Sequence, residues 1–162
     1  MIELLVSLII ASLVAIAVTM IFGMMLKVNA DNEKRVNAIR QVQNSGMYVT
    51  QDIQSAQTII LGGGHFLETK WVDWDAVQHD VTYDIANGKL ARSNVIGGND
   101  PVVTTVGNYI DTSPTGTPPK AKTRIEQSGS VYNLTVTATI SGFTANGLPV
   151  TETRTYEILP RS

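Results

Sequence analysis

The sequence predicts an α+β fold: one long N-terminal helix, its apolar half projecting and its amphipathic half packed on an antiparallel β-sheet. Three observations predict it. Residues 4–26 contain no charged side chain. From Lys27 to Ile60 apolar residues recur at steps of three or four, the helical period. Beyond Gly64 the pattern becomes a two-residue alternation punctuated by Asn-Gly pairs, which is how hairpins read. A chain of 162 residues suits one domain with an appendage, divided here into 1–26, 27–61 and 62–162.

The first segment explains the composition. Charged residues make up 16% of the chain against the roughly 25% usual in soluble proteins, and the deficit is concentrated between Leu4 and Leu26. At about 1.5 Å per residue that run spans a bilayer core of about 30 Å. Ser7, Ser12, Thr19 and Gly23 interrupt it without breaking it. A signal peptide carries a basic head, a shorter apolar core and a small-residue cleavage site. No basic residue precedes this run and the run is longer, so a retained transmembrane helix is expected.

The helix is expected to continue past the membrane, since no proline occurs before Pro101. Val36, Ile39, Val42, Gly46, Val49, Ile53, Ala56 and Ile60 form one apolar face, with Asp31, Lys34, Arg40, Asn44, Gln51 and Gln54 opposite. Gly62-Gly63-Gly64 is expected to end it, because glycine weakens helix and accepts the positive φ of a C-terminal cap. Such a helix is about 90 Å long. No domain of this size buries that length, so its first half must project.

In the third segment, Val81-Thr-Tyr83-Asp-Ile85, Asn87-Gly88 and Lys89-Leu-Ala-Arg92 predict one hairpin. Val131–Ile140, Asn146-Gly147 and Val150–Ile158 predict a second. Weaker strands are expected at Trp71–Trp74, Val102–Val106 and Ala121–Glu126. Asp111 to Pro119 is expected to be a surface loop, its prolines and glycine suiting no ladder.

Composition also excludes functions. Twelve basic against 14 acidic residues give a formal charge of −2 and no basic surplus for a phosphate backbone. Without cysteine there is no disulfide, thiolate metal site or cysteine nucleophile. His65, Asp73, Asp75, His79, Asp80 and Asp84 form the densest polar cluster, but they lack a ligand spacing and read as surface polarity. No Gly-x-Ser-x-Gly elbow occurs, and Gly62-Gly63-Gly64 lacks the Lys-Ser/Thr ending of a phosphate loop. No enzymatic activity, cofactor or metal is therefore expected. Trp71 and Trp74, beside Lys70, suit core or subunit-interface packing better than base or sugar stacking. Asn133-Leu-Thr135 matches a glycosylation sequon but falls mid-strand. Thr112, Ser113, Thr115 and Thr117, in the loop, are the better candidates for O-linked sugar.

The N-terminus, Met1-Ile-Glu-Leu-Leu-Val-Ser-Leu-Ile-Ile-Ala11, resembles the start of type IV pilins and of type II secretion pseudopilins. In motif the resemblance covers residues 1–26; over 27–162 it is one of architecture. Gln51-Asp-Ile-Gln-Ser-Ala56 with Val81-Thr-Tyr83 and Lys89-Leu-Ala-Arg92 also looks like a subgroup of minor pilins and J-type pseudopilins. There are three departures. The family usually carries its glutamate two residues later than Glu3, so either two residues precede Met1 or the mature end differs. It often carries a proline where Phe22 and Gly23 stand here. Many bacterial members close a loop with a disulfide, which this chain cannot form.

The resemblance implies a structural subunit of an extracellular, pilus-like helical filament, held in the inner membrane before assembly. Its partners would be many copies of itself, a prepilin peptidase and the assembly machinery, with no nucleic acid. Met1, with a methylated amine, and Glu3 would serve assembly. Ser12, Thr19 and Gly23 bracket where the helix would unwind in a filament, Gly23 alone costing roughly 1 kcal/mol against alanine. The alternatives are a minor pilin or pseudopilin, and a membrane-anchored binding module that never polymerises.

Overall fold

In a computed structural model of the chain, which describes residues 2–142 and 148–161, helix α1 runs unbroken from Ile2 to Ser55. Its 54 residues reach about 80 Å. Residues 2–29 are exposed throughout, and burial begins only beyond them. From there one face turns inward: Ala38, Val42, Ser45, Gly46, Val49, Asp52 and Ile53 are buried. Most of the expected stripe is therefore the packed face. Val36, at 45% exposure, is not part of it, and Ala38, Ser45 and Asp52 are.

Helix α1 ends six residues before the three glycines. The Ala56 amide bonds back to the Ile53 carbonyl at 3.2 Å, and the Gln57 amide then leaves the helix for the Lys70 carbonyl at 2.9 Å. Thr58–Ile60 forms strand β1. Thr58, Ile59 and Ile60 are all β-branched, stiff in a helix and well suited to a pleated surface. Their spacing alone fits both structures, and pairing with β2 decides between them.

The strands that follow are β2 (Leu67–Val72), β3 (Gln78–Ala86), β4 (Lys89–Ile96), β5 (Val102–Asn108), β6 (Pro114–Thr115), β7 (Lys120–Ala121), β8 (Arg124–Ser128), β9 (Val131–Ile140) and β10 (Val150–Ile158). β1 to β5 form an antiparallel sheet in chain order; β10-β9-β8 form a second, and β6 and β7 pair as a ribbon. A bridge between Ile110 and Ala138 joins the two main sheets. The core lies between their inner faces and α1, with Leu67, Val81, Tyr83, Leu90, Leu134, Val136 and Ile158 fully buried beside Val42, Val49 and Ile53.

The Asn87-Gly88 hairpin forms as expected, both residues taking positive φ (51° and 69°). β10 pairs along its full length with β9, from Val150 opposite Ile140 to Ile158 opposite Tyr132. The Asn146-Gly147 turn lies outside the described residues. Other expectations need correction. Trp74 is not in a strand: the Asp73 carboxylate accepts the Asp75 and Val77 amides, both at 3.0 Å, and folds residues 73–77 into a turn. The strand expected at Ala121–Glu126 is split, because the Lys122 and Thr123 amides bond to Ser113 and Asp111 carbonyls instead of a strand partner. The 111–119 loop contains the short strand β6, whose Pro114 is tolerated because β6 is an edge.

Candidate functional site

The projecting half of α1 is the first candidate. From Ile2 to Leu26 its large apolar side chains are at least 47% exposed, and its length and composition suffice to cross a membrane. Glu3 sits in the first helical turn, where a carboxylate meets the positive end of the helix dipole. Met1 lies outside the described residues. The hydroxyls of Ser7, Ser12 and Thr19 donate to the carbonyls of Glu3, Ile9 and Ala15, each at 2.8 Å, so these three hydroxyls are satisfied by the rod's own backbone. A side chain added at Gly23 would meet no other part of the described chain within 4 Å. In the isolated chain α1 is continuous through Ser12, Thr19 and Gly23.

A second constellation, which sequence reasoning missed, lies where α1 meets the first sheet. Asp52 is 5% exposed. Its Oδ2 accepts the Tyr83 hydroxyl at 2.5 Å and Arg92 Nε at 2.7 Å, and its Oδ1 accepts Arg92 Nη2 at 3.0 Å. This is a two-pronged Arg–carboxylate pair with a phenol completing the carboxylate's coordination. Burial and the neighbouring carboxylate push the Tyr83 hydroxyl well above its ordinary range. The hydrogen bond to Asp52 raises the Arg92 pKa still further. With no exposed nucleophile or acid, the triad is suited to holding the helix in register and not to catalysis. The three residues come from α1, β3 and β4. The available signal was Asp52's position three after Val49, on the apolar stripe itself.

Asp111 organises a third. Its carboxylate accepts Lys122 Nζ (2.8 Å), Ser113 Oγ (2.6 Å), the Ser113 amide (2.9 Å) and Thr139 Oγ1 (2.8 Å). Burial alone would raise its pKa; these donors outweigh burial and hold it well below the usual carboxylate range.

The His/Asp cluster separates into pairs: His65 Nδ1 with Asp84 at 2.7 Å, and His79 Nε2 with Asp73 at 3.1 Å. Among the described residues no three His, Asp or Glu side chains converge as metal ligands. Trp71 packs against the core and stacks on His79 with ring centres 5.0 Å apart, while Trp74 is 92% exposed in the β2–β3 turn. Asn133 and Thr135 sit on β9, paired on both sides. Thr112, Ser113, Thr115 and Thr117 are all exposed.

Compared with models of protein families, with curated proteins and with solved structures, the chain matches none of them.

Proposed function

We propose that this protein is the structural subunit, a pilin, of an extracellular type IV pilus-like helical filament, assembled through its apolar N-terminal helix. The observation that carries the reading is the rod: residues 2–29 are exposed throughout, and the first 25 of the described stretch carry one charge, Glu3. Burying that much apolar surface is worth tens of kcal/mol at roughly 25 cal/mol per Å2, so the rod needs lipid or other copies of itself. In the membrane it has the first; in a filament, rods bundle at the centre and the sheets form the wall. The subunit would wait in the inner membrane, processed by a prepilin peptidase, and pass to the cell surface through the assembly machinery. No catalytic role is proposed for it. The rod's length and composition and its seat on an antiparallel sheet support this reading, as does the N-terminal resemblance.

A second reading, a minor pilin or pseudopilin of a pilus or type II secretion system, draws on the convergence of Asp52, Tyr83 and Arg92 from the segments resembling that subgroup. Electron microscopy and quantitation of sheared surface material test both. A major subunit accounts for nearly all the filament mass and a minor one for a trace. Protein found only in membranes, never in fibres, overturns the filament reading in favour of an anchored binding module.

A further inference from the structure

We propose that the groove between the β3–β4 turn and the chain leaving β5 is a saccharide-binding site, with Tyr109 as its stacking platform. The groove is open to solvent on one side and has a volume of about 710 Å3, within the roughly 300–1,000 Å3 of small-ligand sites. Its lining includes Asn87, Lys89, Asn108, Tyr109 and Thr112.

Tyr109 is the unusual residue. Its φ is +60°, a conformation that bulky side chains rarely take. The turn facing it meets the same demand with Asn87 and Gly88, the residue types that tolerate it. Strain of this kind persists only where the surroundings over-determine it. Here they do: the Tyr109 carbonyl accepts the Thr139 amide, the Ile110 amide donates to Gly88, and the Asp111 amide donates to Thr137, each at 2.8 Å. The Ile110 side chain is buried. The backbone is clamped on both sides of a tyrosine that is left 53% exposed.

The chemistry around the ring selects the ligand class. A peptide adding as a strand needs free backbone groups, but Tyr109 O, Ile110 N, Asp111 N and Asp111 O are already paired. Among the described residues Lys89 is the one cation of the lining, and Asp111 is neutralised by Lys122, so they offer no basic cluster for a polyphosphate or nucleic acid. What the groove presents is the side-chain amides of Asn87 and Asn108, the Thr112 hydroxyl and the Lys89 ammonium, none bonded to another described residue. An amide offers donor and acceptor side by side, matching vicinal hydroxyls. The apolar face of a pyranose ring lies against an aromatic face, and Lys89 suits a single carboxylate on the sugar. The ligand class is thus a neutral or monoacidic pyranose, and the site requires only that the groove stay open, in a single chain or in a filament.

The test is a titration of the full chain, held in a detergent without a sugar headgroup, followed by backbone amide NMR. The probes are mono- and disaccharides of hexoses, N-acetylhexosamines and hexuronic acids. At least one is expected to shift the amides of residues 87–89 and 108–112 along one saturable curve. Tyr109→Gly should weaken that sugar about tenfold or more while Tm holds or rises, because glycine takes a φ of +60° freely. Tyr109→Phe should keep binding, and Asn108→Ala should weaken it. Sugars that leave the groove unshifted or act elsewhere overturn the proposal, as does a Tyr109→Gly variant binding like wild type. So does a Tyr109→Gly variant that loses Tm, which makes the ring a structural support, or a groove covered by a neighbouring copy in assembled material.

Discussion

A carboxylate on the inward face of a helix is stable only if its neighbours replace the water it gave up, and Asp52 shows how completely that can be done. Arg92 supplies charge and two donors, Tyr83 a third, and both come from adjacent strands of one sheet. Asp52 is the common partner, so removing it strips Tyr83 and Arg92 of these bonds together, whereas removing Tyr83 leaves the Arg92–Asp52 pair in place. Asp52→Ala is expected to cost roughly 3–5 kcal/mol, the range for breaking a buried pair, and Tyr83→Phe about 1 kcal/mol. Thermal unfolding by circular dichroism measures both; an Asp52→Ala loss below about 1 kcal/mol would mean that the triad holds nothing. Tyr83 also sets an alkaline limit. Its folded pKa lies above the ordinary value of 10.0, so its contribution is complete below that value and is lost as pH climbs beyond it. Asp111 sets the opposite limit. Its folded pKa lies below the ordinary 3.8, so its contribution is present above that value and falls away as pH drops beneath it. Asp111→Asn should lose roughly 2 kcal/mol at neutral pH and flatten the acid limb of a stability–pH curve. An unchanged acid limb would assign it to other carboxylates.

The elements are fitted to one another by small residues at close approaches. A side chain at Gly46 would overlap the Tyr156 ring, and one at Gly107 would overlap the Ser45 hydroxyl, so α1 lies against β10 and β5 with no room for a methyl group. Gly46→Ala, which raises intrinsic helix propensity, is nevertheless expected to destabilise by roughly 1–3 kcal/mol through overpacking; a stabilised variant would show that the ring swings aside freely. The rod makes the contrary case. Deleting residues 2–26 should move Tm by no more than about 2 °C, since those residues contribute no packing to the body. Legibility follows the same division. The rod could be read because exclusion of charge is a purely local signal, and β9 and β10 because β-branched alternation is another. The end of α1 could not, because Ile59 and Ile60 satisfy helix and strand periods alike until β2 claims them. Asp52 was hidden because a polar residue on an apolar stripe reads as an interruption until its partners, 31 and 40 residues away, are brought to it. The groove was hidden for a stronger reason: Tyr109's conformation is imposed by Gly88 and Thr139, which are remote in sequence.

At the scale of the whole molecule, the proposed assembly makes a demand on Glu3: rods that left lipid for one another would have to accommodate its carboxylate. At a membrane interface its carboxylate is solvated by head groups, and even at mid-bilayer the penalty is about 2.5–3.5 kcal/mol. In a bundle it would be enclosed by Leu, Ile and Val side chains of other copies, where an unpaired charge costs several kcal/mol even after relaxation. It must then be protonated or meet a cation. Lys27 is the nearest cationic side chain along the rod, about 36 Å away at 1.5 Å per residue, so no lysine or arginine of the rod reaches that depth. The amine of a processed N-terminus, as the proposed assembly requires, would supply the cation, and methylation would leave its charge intact. Pairing with a neighbour's amine would also fix the axial offset between successive subunits, which hydrophobic contacts specify poorly because they are non-directional. Glu3→Ala and Glu3→Gln are therefore expected to insert into membranes as wild type does and to yield few filaments. Counting filaments by electron microscopy beside a membrane-fraction immunoblot separates the two steps. Wild-type numbers of normal filaments from Glu3→Ala cells would remove the assembly role and leave Glu3 a solvated charge at the head of a helix.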